Sequence, residues 1–97
     1  MAEPGFSALG GETRPRLKRG VRLVHNEAQG GWVLLAPERL FKTDPVGAEI
    51  LKRCTGEATL SAIVDDLAAA YDAPCARIFV DVNALLQTLA EKQLVDL

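Results

Sequence analysis

From residue 20 onward the period of the apolar positions changes twice, and each change marks an element. Val21, Leu23 and His25 alternate with Arg22 and Val24, the period-two signal of a strand with one covered face. Residues 26–31, NEAQGG, supply turn chemistry, and residues 32–36, WVLLA, form an apolar run suited to a strand covered on both faces. After Pro37, residues 38–43, ERLFKT, offer a third short strand in which Leu40 and Phe41 stand among charges. The three segments predict an antiparallel meander, which needs cover on one face to be stable.

The second change is to helical spacing. Asp44 followed by Pro45 is a helix start, because the carboxylate accepts orphan backbone N–H groups and proline suits the first helical position. Val46, Ile50, Leu51 and Cys54 predict a helix over residues 45–54, with Gly56 as a left-handed stop. Thr59 caps the next pattern, in which Leu60, Ile63, Val64, Leu67, Ala68 and Tyr71 share one face. Pro74 breaks it, and residues 75–92 carry Ile78, Val82, Leu85, Leu86 and Leu89 on one stripe. The last residues, QLVDL, dock Leu94 and Val95 as a closing strand or cap. The order predicts an α+β domain, a three-stranded antiparallel meander followed by three helices.

Residues 1–15, with only Phe6 and Leu9 as large apolar side chains, read as a flexible tail before a domain over 16–97. A chain of 97 residues, 48% hydrophobic and 25% charged, is one ordinary globular domain. Its apolar runs are too short to cross a bilayer, and no stretch of signal-peptide length precedes the first strand, so the expected setting is cytoplasmic, with no membrane partner. Cys54 and Cys75 lack the spacing of a metal set or a disulfide framework and are expected as small core residues.

Candidate chemistry is sparse. His25 is the only histidine, and it stands in a strand without a nucleophile at a recognisable spacing, so no catalytic residue and no metal ligand is assigned and no cofactor is expected. Asp65 and Asp66 fall on the polar face of a helix, and Gly30–Gly31 opens a strand, where it builds no phosphate cradle. The element order suggests a winged-helix DNA-binding or protein-interaction module, in which the last helix would meet the major groove. Charge argues against nucleic acid. Residues 1–43 hold seven Lys/Arg against four Asp/Glu and residues 44–97 hold four against nine, and on the last helix Arg77 and Lys92 are matched by Asp81 and Glu91.

A third possibility is strand addition. The third strand leaves the sheet at once through Asp44–Pro45 without covering its far edge, so Arg39, Leu40, Phe41, Lys42 and Thr43 form either an edge whose charges guard it against aggregation or one open to an added peptide.

Taken in order, PRLKRGVRL, GGWVLLAPE, EILKRCTGEATLSAIVDDLAAAY and DVNALLQTL resemble the PqqD family, the small peptide chaperones of pyrroloquinoline quinone (PQQ) biosynthesis, over residues 15–95. The chain departs from the usual pattern at Asp44, Thr55 and Gln93, all at helix ends. The resemblance implies a winged helix-turn-helix-like fold acting as a RiPP recognition element. Such a module would have no chemistry of its own; it would bind the ribosomal precursor peptide PqqA and present it to the radical SAM enzyme PqqE. It also implies that the peptide adds as a strand at the third-strand edge, along Arg39 to Thr43, and rests against the last helix, which nominates Asp81, Leu85 and Thr88 on one flank of the core stripe and leaves Phe79, on the other flank, without a role.

Overall fold

The computed structural model describes residues 10–97. Its elements are β1 (Arg16–Leu17), β2 (Arg22–Asn26), a 3-10 turn (Glu27–Gln29), β3 (Gly31–Ala36), β4 (Arg39–Thr43), α1 (Pro45–Lys52), α2 (Leu60–Tyr71), α3 (Cys75–Glu91) and β5 (Val95–Asp96). The three-stranded antiparallel sheet runs β2-β3-β4, and a separate two-stranded sheet pairs β1 with β5. The α+β class and the meander-then-helices order are those expected from the residue pattern.

Register explains the burial. Leu23 pairs with Leu34 and Leu34 with Phe41, so these three share one face, together with Trp32, Ala36, Arg39 and Thr43. That face carries the core: Leu34 is fully buried and belongs to a cluster with Ile50, Leu51, Leu60, Ile63, Leu67, Val82, Leu86 and Leu89. The other face bears Arg22, Val24, Val33, Leu35, Leu40 and Lys42, of which Val33 is completely buried beneath its neighbours.

Helix starts follow the predicted caps. The Asp44 carboxylate accepts from the Gly47 N–H at 2.6 Å, and the Thr59 hydroxyl accepts from the Ala62 N–H at 3.1 Å. The ends differ from expectation. α1 stops at Lys52, with Arg53 as its cap, and Gly56 (φ 87°) serves a turn beyond it, where its N–H reaches the Pro15 carbonyl at 3.0 Å. A Cβ on Gly56 would sit 2.9 Å from Cδ of Arg16, so the turn requires glycine for space as well as for φ. α2 ends through Asp72 in the left-handed region (φ 51°).

Of the expected tail, residues 1–9 lie outside the described residues. Residues 11–15 run along the start of α2, where the Thr13 and Gly11 carbonyls accept from the Leu60 and Ser61 N–H groups at 2.6 and 3.0 Å and Pro15 is buried. β1 then pairs with β5, and Lys18 Nζ meets Asp96 Oδ1 at 2.8 Å. This ties the closing strand, which the pattern suggested, to a partner strand it did not. Further side chains depart from expectation: Val46 and Tyr71, which the helical spacing placed on the apolar faces of α1 and α2, are exposed. Cys54 is buried, but Cys75 is exposed at the start of α3, with Sγ 3.5 Å from Asp65 Oδ1. Trp32 lies in the central strand as expected, yet it is only half-buried: Lys52 Nζ stands 4.7 Å from its ring centroid, and the His25 ring meets it edge-on at 4.9 Å.

Candidate functional site

The site begins with the turn between β3 and β4. Pro37 and Glu38 (φ 66°) form a two-residue type II turn, with proline supplying the first central position and Glu38 the left-handed second. Because only two residues lie between them, Ala36 and Arg39 can pair only by exchanging both backbone hydrogen bonds. Bonded and non-bonded pairs then alternate: Arg39, Phe41 and Thr43 turn their backbone groups toward β3, while Leu40 and Lys42 turn theirs to the outer edge of β4. Among the described residues no strand pairs with that edge.

Beside the edge, on the core face of the sheet, lies a cavity of about 210 Å³ lined by Leu34, Ala36, Arg39, Leu40, Phe41, Lys92 and Leu94. β4 supplies three of these residues, and the end of α3 supplies Lys92. Arg39 Nη2 donates to the Lys92 carbonyl at 2.5 Å and so clips the strand to the helix cap, while Lys92 Nζ lies 6.0 Å from the Phe41 ring centroid. Leu40 is 44% exposed despite being apolar. Lys92 was not among the residues nominated from sequence. Its place one turn beyond Thr88, in line with Asp81 and Leu85 at helical spacing, was the signal available for it.

The helix residues nominated from sequence are distributed along α3. Leu85 is half-buried against the core, and Thr88 is exposed, its carbonyl accepting from the Lys92 N–H at 3.2 Å. Asp81 belongs to a second, narrow cleft with Val46, Ile50, Leu67, Tyr71, Ile78 and Val82. The structure therefore brings Arg39, Leu40 and Phe41 together around Lys92, and it places Asp81 at the other end of the helix flank beside α1 and α2. Thr43 sits at the junction with α1, where its Oγ1 lies close over Gly47, so a Cβ there would require the Thr43 hydroxyl to turn away. Lys42 is exposed on the outer face of the sheet, opposite Val33. Phe79, left unplaced by sequence, lines a broad depression with Leu60, Val64 and Cys75, between α2 and the start of α3.

The arrangement joins an unpaired strand edge to an apolar groove with two cations beside it. Among the described residues, no group of three or more His, Cys, Asp or Glu side chains is placed to hold a metal ion, and no helix is long and apolar enough to cross a membrane. The one strongly shifted thiol, Cys54, is pushed up to about 12 by burial and donates to the Ile50 carbonyl. It is a core group remote from the edge.

The chain has relatives among known proteins. Residues 31–95 match the family model of coenzyme PQQ synthesis protein D (PqqD). The chain is 41% identical over 92 residues to the PqqA binding protein of Bradyrhizobium diazoefficiens, covering 95% of this chain and 89% of that one. It is 41% identical to the PqqA binding protein of Xanthomonas euvesicatoria pv. vesicatoria, covering 95% of this chain and all of that one. Among solved structures it is similar to the solution NMR structure of the PqqD truncation of Methylobacterium extorquens PqqCD, described as a functional and stand-alone RiPP recognition element. That likeness has a TM-score of 0.80 and 41% identity, and covers 93% of this chain and 96% of that one. The crystal structure of PqqD from Xanthomonas campestris is similar at a TM-score of 0.59 and 39% identity, covering 93% of this chain and 100% of that one.

Proposed function

The chain belongs to the PqqD family, and on that premise we propose that it is a peptide chaperone of PQQ biosynthesis that binds the precursor peptide PqqA by strand addition to β4. The observation that carries the reading is the unpaired edge of β4, where Leu40 and Lys42 offer their backbone N–H and C=O groups beside a partly apolar groove. An extended peptide laid there gains main-chain hydrogen bonds worth roughly 0.5–1.5 kcal/mol each, and every second side chain faces the groove. The peptide contacts would come from Arg39, Leu40, Phe41, Lys42 and Thr43, with Asp81, Leu85 and Thr88 on the α3 flank. After ordering costs, an affinity near the micromolar range follows.

In this reading the fold is winged helix-turn-helix-like in plan, and its working unit is residues 16–97 together with the segment 11–15 that packs along α2. The module does no chemistry itself and presents bound PqqA to the radical SAM enzyme PqqE in the cytoplasm. The homologues named PqqA binding proteins and the relative described as a RiPP recognition element support this assignment. A titration of the 15N-labelled protein with PqqA tests it. Shifts centred on residues 39–43 and on the α3 flank are expected. Shifts confined to the basic residues between Arg14 and Arg22, or none at saturating peptide, overturn it.

A further inference from the structure

The groove beside β4 is apolar at its base and cationic at its rim. Leu34, Ala36, Phe41 and Leu94 form the base, and Arg39 and Lys92 reach the rim from opposite elements. The volume of about 210 Å³ is below the roughly 300–1,000 Å³ of a small-molecule site and suits one or two side chains. The two cations are held close by a contact that does not neutralise them. Arg39 donates to the Lys92 main-chain carbonyl, and Lys92 Nζ stands toward the Phe41 ring. Among the described residues the ion pairs within 4.0 Å use Lys18, Lys52 and Arg53 as their cations, so neither Arg39 nor Lys92 has a carboxylate partner. Glu38 and Glu91 adjoin them in sequence without forming one.

Two like charges held on facing elements over an apolar base are complementary to an anion with an aliphatic or aromatic stem. Resting on the reading of this groove as the PqqA site, we propose that Arg39 and Lys92 form a carboxylate subsite, which takes an Asp or Glu side chain of the bound peptide at the groove-facing position opposite Arg39. The register supports the placement. Arg39 and Phe41 share the face turned to α3, so the residues of an added strand opposite them project over the same cavity. An acidic residue opposite Arg39 forms a favourable cross-strand pair, and its stem lies on Phe41. Lys92, at the helix end, supplies the second cation.

The test is a coupled substitution series, read by calorimetry at low and moderate salt. Each Asp and Glu of PqqA is changed in turn to its amide, and each peptide is titrated against the wild type, Lys92→Met, Lys92→Glu and Lys92→Arg, with folding checked by circular dichroism. Lys92 is exposed, so the variants are expected to fold. One peptide carboxylate is expected to stand out: its amide form, and Lys92→Met with unmodified peptide, each weaken binding roughly three- to tenfold, the two together weaken it no further, and Lys92→Arg restores it. Lys92→Glu weakens it more. Equal affinities for all Lys92 variants, or losses that simply multiply for every carboxylate, overturn the subsite while leaving PqqA binding intact. Absence of PqqA binding by the wild type overturns the underlying reading as well.

Discussion

Arg39 faces Ala36 across a two-residue turn, and this single pairing decides the direction of every backbone group in β4. Sequence shows a short third strand but not which of its residues carry ladder bonds, because the parity depends on where the turn closes. With the turn at Pro37–Glu38, Arg39, Phe41 and Thr43 bond to β3, and Leu40 and Lys42 face outward.

Proline separates the two sets. Leu40→Pro and Lys42→Pro remove an outward N–H and no ladder bond, so both variants are expected to stay folded and to bind PqqA roughly tenfold or more weakly. Phe41→Pro deletes a bond to β3 as well as a ring packed on the core, and is expected to cost about 2–4 kcal/mol of stability. Thermal melts and calorimetry check both. Leu40→Pro and Lys42→Pro variants that bind like the wild type would show that the peptide docks elsewhere.

Trp32 lies on the core face opposite Thr43, half-buried between Lys52 and His25. Because part of the ring already meets solvent, Trp32→Ala is expected to cost about 2–3 kcal/mol, below the roughly 3–5 of a fully buried ring. The melting temperature should fall by roughly 10–20 °C. Below its melting range the variant should bind PqqA within about threefold of wild type. A thermally unchanged variant that has lost binding would place Trp32 in the site.

The two cysteines should behave differently. Cys75 is exposed, and its contact with Asp65 raises its pKa, so a thiol reagent should modify it in the native state, faster as pH rises above the ordinary cysteine range. Cys54 should react only on unfolding. Its folded pKa of about 12 lies above the 9.0 of the free thiol, so the unfolded chain loses this proton first and the folded state binds more protons between the two values. The contribution is complete below pH 9 and is lost as pH rises toward 12. Chemical denaturation of wild type and Cys54→Ala across that window should show the steeper alkaline decline in the wild type; parallel curves would contradict it.

Much of this fold is legible in the pattern of residues, for local reasons. Asp44 and Thr59 announce helix starts because their side chains bond amides three residues on, and Leu60, Ile63, Val64, Leu67 and Ala68 reveal one buried face by spacing alone. What depends on distant partners is not legible. Arg16–Leu17 is too short to read as a strand until Val95–Asp96 pairs with it, and the Gly56 turn serves contacts with Pro15 and Arg16. Gln93, one of the positions where the chain departs from the family pattern, stands in the left-handed region (φ 63°), which residue type alone does not announce. In the candidate site, the β4 residues follow from an edge that the chain leaves uncovered. The separation of Asp81 from the Arg39–Lys92 cavity does not, since helical spacing gives an azimuth but not which neighbour stands opposite.

Amide hydrogen exchange at β4, measured by NMR with and without saturating PqqA, tests strand addition most directly. In the free protein the Phe41 amide, bonded to β3, should be protected, while those of Leu40 and Lys42 exchange near their unprotected rates. With PqqA bound, Leu40 and Lys42 should slow by roughly tenfold to a hundredfold or more, and Phe41 should remain protected. Leu40 and Lys42 amides that still exchange freely at saturating peptide would contradict the central claim that PqqA completes the sheet at this edge.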